Sequence, residues 1–308
     1  MKILVTGGSG FLGRNLLGKL RENKNYEIFS PRSRNFDLTN PKQAKDLFDY
    51  FKPQAVINLA AVVGGIGANK DNPGSFFYKN MLIGLNVIHN CYDYGVDKIV
   101  QIGTVCSYPK FTPVPFKEDD LWNGYPEETN APYGIAKKAS YVMLDSYKQQ
   151  YDLNSTILVP CNLYGPYDNF DPKSSHVIPA LIKKFIEAKQ NRHDSVSCWG
   201  SGNATREFLY VNDAVEAIVK SLCVDTQPAP INLGGGQEIS IRDLAEKIRA
   251  VVGYSGEIKW DTSKPDGQPR RFLDISRAKQ LLDWEPKTNF DTGLKETIDW
   301  YGSTVDTV

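Results

Sequence analysis

Long hydrophobic runs are missing from this 308-residue chain. No segment approaches the ~20 consecutive apolar residues that a membrane-crossing helix needs. The apolar run Ile3-Leu4-Val5 behind Met1-Lys2 is too short for a signal peptide. A cytoplasmic location and no membrane partner are therefore expected. An excess of charge of one sign is also missing. Lys and Arg number 36 and Asp and Glu 36, so no overall field draws the chain onto nucleic acid, and a phosphate-bearing ligand has to be held by local groups. The five cysteines, Cys91, Cys106, Cys161, Cys198 and Cys223, are odd in number and scattered, with no Cys-x-x-Cys pair. That excludes a disulfide framework and a zinc site of the usual spacing, and no metal is expected. Internal repeats, low-complexity tracts and long linkers are absent, which points to parts that share a cleft.

What is present is an alternation of strand and helix. Short apolar strands are expected over 2–6, 26–30, 54–59, 98–102 and 155–159, with helices over 10–24, 41–51, 73–94 and 133–151 between them. In the first helix Leu12, Leu16, Leu17 and Leu20 share one face. This order predicts an α/β fold, a Rossmann-type doubly wound parallel sheet that binds ligands beyond the carboxyl ends of its strands. From about Pro160 the rhythm turns irregular, with loops around helices over 177–190, 212–224, 241–252 and 290–301. The expected division is a dinucleotide-binding domain over 1–160 and a smaller C-terminal substrate-binding α/β lobe over 161–308, some of whose segments return to the sheet.

The turn Thr6-Gly7-Gly8-Ser9-Gly10-Phe11-Leu12-Gly13 sits between the first strand and the first helix. Free backbone amides at a helix N-terminus there can hold a dinucleotide pyrophosphate. Gly7 suits the tight turn, Gly10 leaves room for phosphate, and Gly13 is expected to let helix and strand approach. After the second strand an enzyme selective for NAD usually carries an acidic residue, but this chain reads Ser30-Pro31-Arg32-Ser33-Arg34. Arginine there favours the 2′-phosphate of NADP, although either side chain taken alone also reads as a solvated loop charge. Asp37-Leu38 can cover the adenine, and Leu59-Ala60-Ala61 supplies small side chains where the backbone nears the cofactor.

Tyr133 and Lys137 lie four residues apart at the start of a helix, so phenol and ammonium share a face. A nearby ammonium is expected to lower the phenol's pKa and make it a proton donor to a carbonyl oxygen. Thr104 follows the fourth strand and can donate a second hydrogen bond there, or merely satisfy loop backbone. Cys106 reads either as a thiol that acts as a base on an acidic C–H or as a small buried residue. His176, one of three histidines, precedes a helix that it can cap while solvated, or it can work as an acid or base. His89 and His193 receive no role.

Several stretches are more specific: Val62-Val63-Gly64-Gly65-Ile66, Cys106-Ser107-Tyr108-Pro109-Lys110, Pro132 to Lys137, Asn162-Leu163-Tyr164-Gly165-Pro166, Ser175 to Leu181, Trp199-Gly200-Ser201-Gly202, Arg206-Glu207-Phe208 and Ser263-Lys264-Pro265-Asp266-Gly267. On these residues the chain closely resembles, over nearly its full length, the GDP-L-fucose synthase family, the 3,5-epimerase/4-reductases of the extended short-chain dehydrogenase/reductase superfamily. The resemblance implies an NADP-dependent enzyme that epimerises and reduces a GDP-linked 4-keto-6-deoxy sugar. Cys106 and His176 match the epimerising acid/base pair, and Tyr133, Lys137 and Thr104 match the reduction site. The resemblance also puts Gly8, Ser9, Phe11, Leu12, Ile102, Gly103, Pro160, Asn162, Leu163 and His176 against the cofactor. Asn162, Val177, Lys184, Trp199, Arg206 and Asp266 match the GDP-sugar side. Thr104 and Val105 stand where relatives carry serine, and Ser107 replaces an apolar residue, departures that point toward the sugar pocket. Relatives pair through two long helices, which implies a homodimer through 73–94 and 133–151. The alternatives are the same chemistry on a colitose or deoxyheptose precursor, or a non-catalytic dinucleotide-binding sensor.

Overall fold

The computed structural model describes residues 1–172, 174–225, 229–264, 266 and 268–305. Its centre is a sheet whose first strand, β1 (Lys2–Thr6), is buried from Ile3 onward, as the unbroken apolar run requires when helices cover both faces. The connecting helix α1 (Phe11–Leu20) leads to β2 (Glu27–Phe29). This helix stops four residues before the expected end, because Leu20 is the last apolar residue to bury and the chain then closes in tight turns through Glu22 and Asn23. The next helix, α2 (Pro41–Phe51), begins where expected: Asn40 accepts the amides of Lys42 and Gln43 at 3.0 and 3.2 Å, and proline fits the first turn.

There follow β3 (Ala55–Asn58), the short α3 (Ile66–Asp71), α4 (Pro73–Asp93), β4 (Lys98–Ile102), α5 (Ala131–Tyr151) and β5 (Ser155–Pro160). The sheet is all parallel and is completed by a late strand, β9 (Pro230–Leu233), in the order β2-β1-β3-β4-β5-β9. The chain reverses direction across β1, which opens a crevice at the carboxyl ends of β1 and β3.

The second half is richer in strand than its irregular pattern suggests. It holds β6 (Asn162–Tyr164), α6 (Val177–Gln190), β7 (Ser195–Trp199), β8 (Thr205–Tyr210) and α7 (Val211–Ser221). Beyond β9 come β10 (Glu238–Ser240), α8 (Ile241–Val252), β11 (Glu257–Asp261), α9 (Ser276–Leu282) and α10 (Phe290–Val305). Small sheets β10-β8-β6 and β11-β7 form beside the large one. One apolar core lies around the large sheet and takes in α7 and α9, and a second joins α6, α8 and α10. Strand β8 feeds both, Leu209 into the first and Phe208 and Tyr210 into the second, and it also carries Glu207. Its buried carboxylate accepts the amides of Gly236 at 2.9 Å and Leu273 at 3.0 Å, and burial pushes its pKa up to about 7. No described helix is long and apolar enough to cross a membrane.

Candidate active site

The crevice opens into a cavity of about 1310 Å³ that runs from the Gly7–Gly13 turn to Trp199 and Asp266. At its floor Gly7 takes φ +69°, a conformation costly for any residue with a side chain, and a Cβ on it would lie 2.8 Å from the Ala60 nitrogen. Gly10 stands at the N-cap of α1 with no side-chain cap, leaving the first-turn amides beside the cavity walls formed by Phe11, Leu12 and Gly13. Such an uncapped, inward-facing helix start fits a dinucleotide pyrophosphate. At Gly13 a Cβ would crowd the Gly8 Cα and lie 2.5 Å from the Gly7 carbonyl oxygen, so its absence lets the helix rest on the turn that ends β1.

All of the expected site residues line this cavity except two. Gly8 faces inward, against the side chains of Ser30 and Leu17. Arg32 is exposed outside the cavity, because its carbonyl accepts the amides of Asn35 and Phe36 at 2.9 and 3.2 Å and the resulting turn presents Arg34 instead. Of the stretch 263–267, Pro265 and Gly267 lie outside the described residues.

The reacting groups converge at the carboxyl end of β4. Tyr133 and Lys137 share the inner face of α5, whose start two residues earlier than expected follows from Pro132 in the first turn. Gly134 lets that turn rest on the Cys106 carbonyl. Contrary to the expected lowering, the Tyr133 phenol is pushed well above its ordinary pKa by burial, with Cys106 adding to the rise and the Thr104 hydroxyl opposing it. Lys137 does not reverse this. Its Nζ lies 6.0 Å from the Tyr133 ring centroid and donates to the Ile102 carbonyl at 2.9 Å, and burial pulls its own pKa down to about 8. Thr104 satisfies loop backbone, its Oγ1 accepting the Cys106 amide at 3.2 Å, and it also lines the cavity with its hydroxyl beside the Tyr133 phenol. Val105 lines the cavity, whereas Ser107 turns to Gly134 and Tyr141 in the core, so that departure does not reach the sugar pocket.

His176 stands at the N-cap of α6 but makes no side-chain cap. Its ring is open to the cavity yet surrounded by protein at longer range, and that loss of bulk solvation lowers its pKa. The neutral imidazole is favoured over the imidazolium.

At the far end Trp199 is 61% exposed, with Lys184 Nζ 5.9 Å and Lys264 Nζ 5.6 Å from its ring centroid, a platform suited to a nucleobase with phosphates alongside. Arg206 is half-buried, and its desolvation, with Arg271 nearby, pulls its pKa down to about 10. Asp266, expected to touch the ligand, also accepts the amide and hydroxyl of Ser201 at 2.7 and 2.8 Å and so holds the loop that carries Trp199.

Residues 3–234 match the model of the NAD dependent epimerase/dehydratase family. The chain belongs to that family. Within the NAD dependent epimerase/dehydratase family it is 42% identical over 300 residues to GDP-L-fucose synthase 1 of Arabidopsis thaliana, covering 97% of this chain and 93% of the relative. A GDP-L-fucose synthetase from Naegleria fowleri bound to NADP superposes with a TM-score of 0.89 at 30% identity, covering 100% of this chain and 95% of that one. A GDP-6-OMe-4-keto-L-xylo-heptose reductase from C. jejuni superposes with a TM-score of 0.93 at 31% identity, covering 98% of each chain.

Sequence reasoning missed Arg271, whose Nη1 lies 3.8 Å from the Cys106 sulfur while Nε donates to Gln268 at 2.8 Å. Neighbouring Arg270 pairs with Glu238 at the surface. In an extended segment adjacent side chains face opposite ways, so the doublet signals one inward arginine without telling which. Asn69 and Asn130, also cavity residues, carry no local signal at all.

Proposed function

We propose that this member of the NAD dependent epimerase/dehydratase family epimerises GDP-4-keto-6-deoxy-D-mannose at C3 and C5 and reduces it at C4 with NADPH, giving GDP-L-fucose. The observation that carries the reading is the convergence of Cys106, His176, Tyr133 and Thr104 on one cavity that also contains the glycine turn and Trp199. Hydrogens at C3 and C5 are acidic because they flank the C4 ketone. Cys106 and His176 form the acid/base pair: one removes a proton from one face of the sugar and the other returns it to the opposite face. Tyr133 and Thr104 hydroxyls hold the C4 oxygen on which negative charge develops. NADPH bound along the turn supplies hydride to C4, and Tyr133 then delivers its proton to the C4 oxygen. Arg34 sits where it can select the 2′-phosphate, while Lys184 and Arg206 supply the cations for the diphosphate. This chemistry is assigned to the cytoplasm.

Turnover in heavy water tests it. The expected product is GDP-L-fucose with deuterium at C3 and C5 and one NADPH oxidised per sugar; NADPH consumption without deuterium in the sugar rules out the epimerase half. A second reading, the same chemistry on another GDP-4-keto sugar, draws support from similarity to the keto-heptose reductase and from Val105 on the cavity wall. Relative turnover of the two sugars decides between them. We also infer a homodimer through α4 and α5, which pack side by side and expose Leu85 and Val142. Light scattering that reports a monomer overturns that part alone.

A further inference from the structure

The loop between β3 and α3, residues 62–65, has no part in the chemistry above, yet it touches the segment that carries His176. Gly65 donates its amide to the Ser174 carbonyl at 3.1 Å, two residues ahead of the imidazole. The approach is close: a Cβ on Gly65 would lie 2.7 Å from the Ser175 carbonyl oxygen, well inside van der Waals contact.

Buried amides hold the loop in that position. Asn80 clamps Val62 from both sides, accepting its amide at 3.0 Å and donating to its carbonyl at 2.8 Å. Asn69 donates to the Gly64 carbonyl at 2.9 Å and is within 3.3 Å of the Asn130 Oδ1. Asn130 in turn donates to the Glu127 carboxylate at 2.6 Å and is the N-cap of α5, the helix that presents Tyr133. One connected set of hydrogen bonds therefore runs from the start of the Tyr133 helix, through Asn69 and Gly65, to the backbone beside His176.

We propose that Asn69 and Gly65, on the cavity wall, are positioning residues that seat His176 opposite Cys106 and so fix the geometry of sugar proton transfer. The inference rests on the epimerase and reductase reading. A reacting imidazole displaced by about 1 Å can lose two orders of magnitude in rate. Gly65→Ala, which pushes on the Ser175 carbonyl, and Asn69→Ala, which removes the amide link, are expected to act on the same step.

The test follows deuterium uptake at C3 and C5 of GDP-4-keto-6-deoxy-D-mannose in heavy water, with NADP⁺ in place of NADPH so that no hydride is delivered. Each variant is expected to slow uptake about 10- to 100-fold, with the sugar's KM and the NADPH Kd unchanged. In a His176→Asn background each is expected to add nothing further, which a general structural defect would not achieve. Undiminished uptake, an equal further loss in the His176→Asn background, or a parallel loss of NADPH affinity overturns the proposal. If Gly65→Ala does not fold, Asn69→Ala decides by the same readouts. A wild-type chain that takes up no deuterium removes the underlying reading as well, so the two failures are separable.

Discussion

Lys137 Nζ donates to the Ile102 carbonyl at 2.9 Å and stands 6.0 Å from the centre of the Tyr133 ring. The cation is thus anchored to the end of β4 and not to the phenol. Tyr133 keeps its proton, with burial raising its pKa, the state that the proposed proton delivery to the C4 oxygen needs.

Tyr133→Phe removes the donor but leaves Cys106 and His176 in place. NADPH oxidation is expected to fall about 100- to 1000-fold, as for loss of one hydrogen-bond donor to a developing oxyanion, while deuterium still enters the sugar, though more slowly. Cys106→Ser reverses the pattern: deuterium uptake falls by about two to four orders of magnitude, with NADPH affinity unchanged. Equal loss of both steps in each variant would refute the division of labour.

Only Arg34 of the two arginines after β2 lines the cavity. Arg34→Ala is expected to weaken NADPH binding about 10- to 100-fold, the size of one charge-assisted hydrogen bond or slightly more, and to leave NADH binding unchanged. Arg32→Ala is expected to change neither. Titration of both variants with both nucleotides checks this, and a larger effect at Arg32 contradicts it.

If His176 is the proposed base, its lowered pKa is expected to set the acid side of the pH profile. Burial disfavours the imidazolium, so the neutral base persists below the ordinary histidine value of 6.5 and is lost only as pH falls through the depressed pKa. Deuterium uptake should therefore hold steady from neutral pH down past 6.5 before declining. An uptake profile that falls with a midpoint above 6.5 would assign that limb to another group.

Asp168 is buried, its Oδ2 has no hydrogen-bond partner among the described residues, and burial raises its pKa to about 7 from 3.8. A carboxyl whose folded pKa is raised favours folding while protonated, and that contribution is lost as pH climbs from 3.8 through about 7. Asp168→Asn keeps the shape and cannot ionise. Thermal unfolding should find the variant a few degrees more stable than wild type at pH 8, with the gap closing toward pH 5. A gap that widens in acid would contradict the assignment.

The strand-to-helix alternation, the glycine turn, and the residue types for proton and hydride transfer are written locally, so the amino-acid sequence alone determined the Rossmann-type sheet and most of the site. Continuous apolar runs and caps such as Asn40-Pro41 act over a few residues. Strands β6 to β11 span three to six residues each, and those form because a neighbour arrives from far along the chain. Tertiary structure alone decided that Arg271 and not Arg270 faces the cavity, that Asp266 holds the Trp199 loop, that Ser107 turns to the core, and that burial outweighs Lys137 at the phenol. At Arg32 and Arg34 a local turn through Asn35 and Phe36 makes the choice; for the others the reason is common. A side chain's direction, its desolvation and its partners depend on groups tens to hundreds of residues away, which no local pattern encodes.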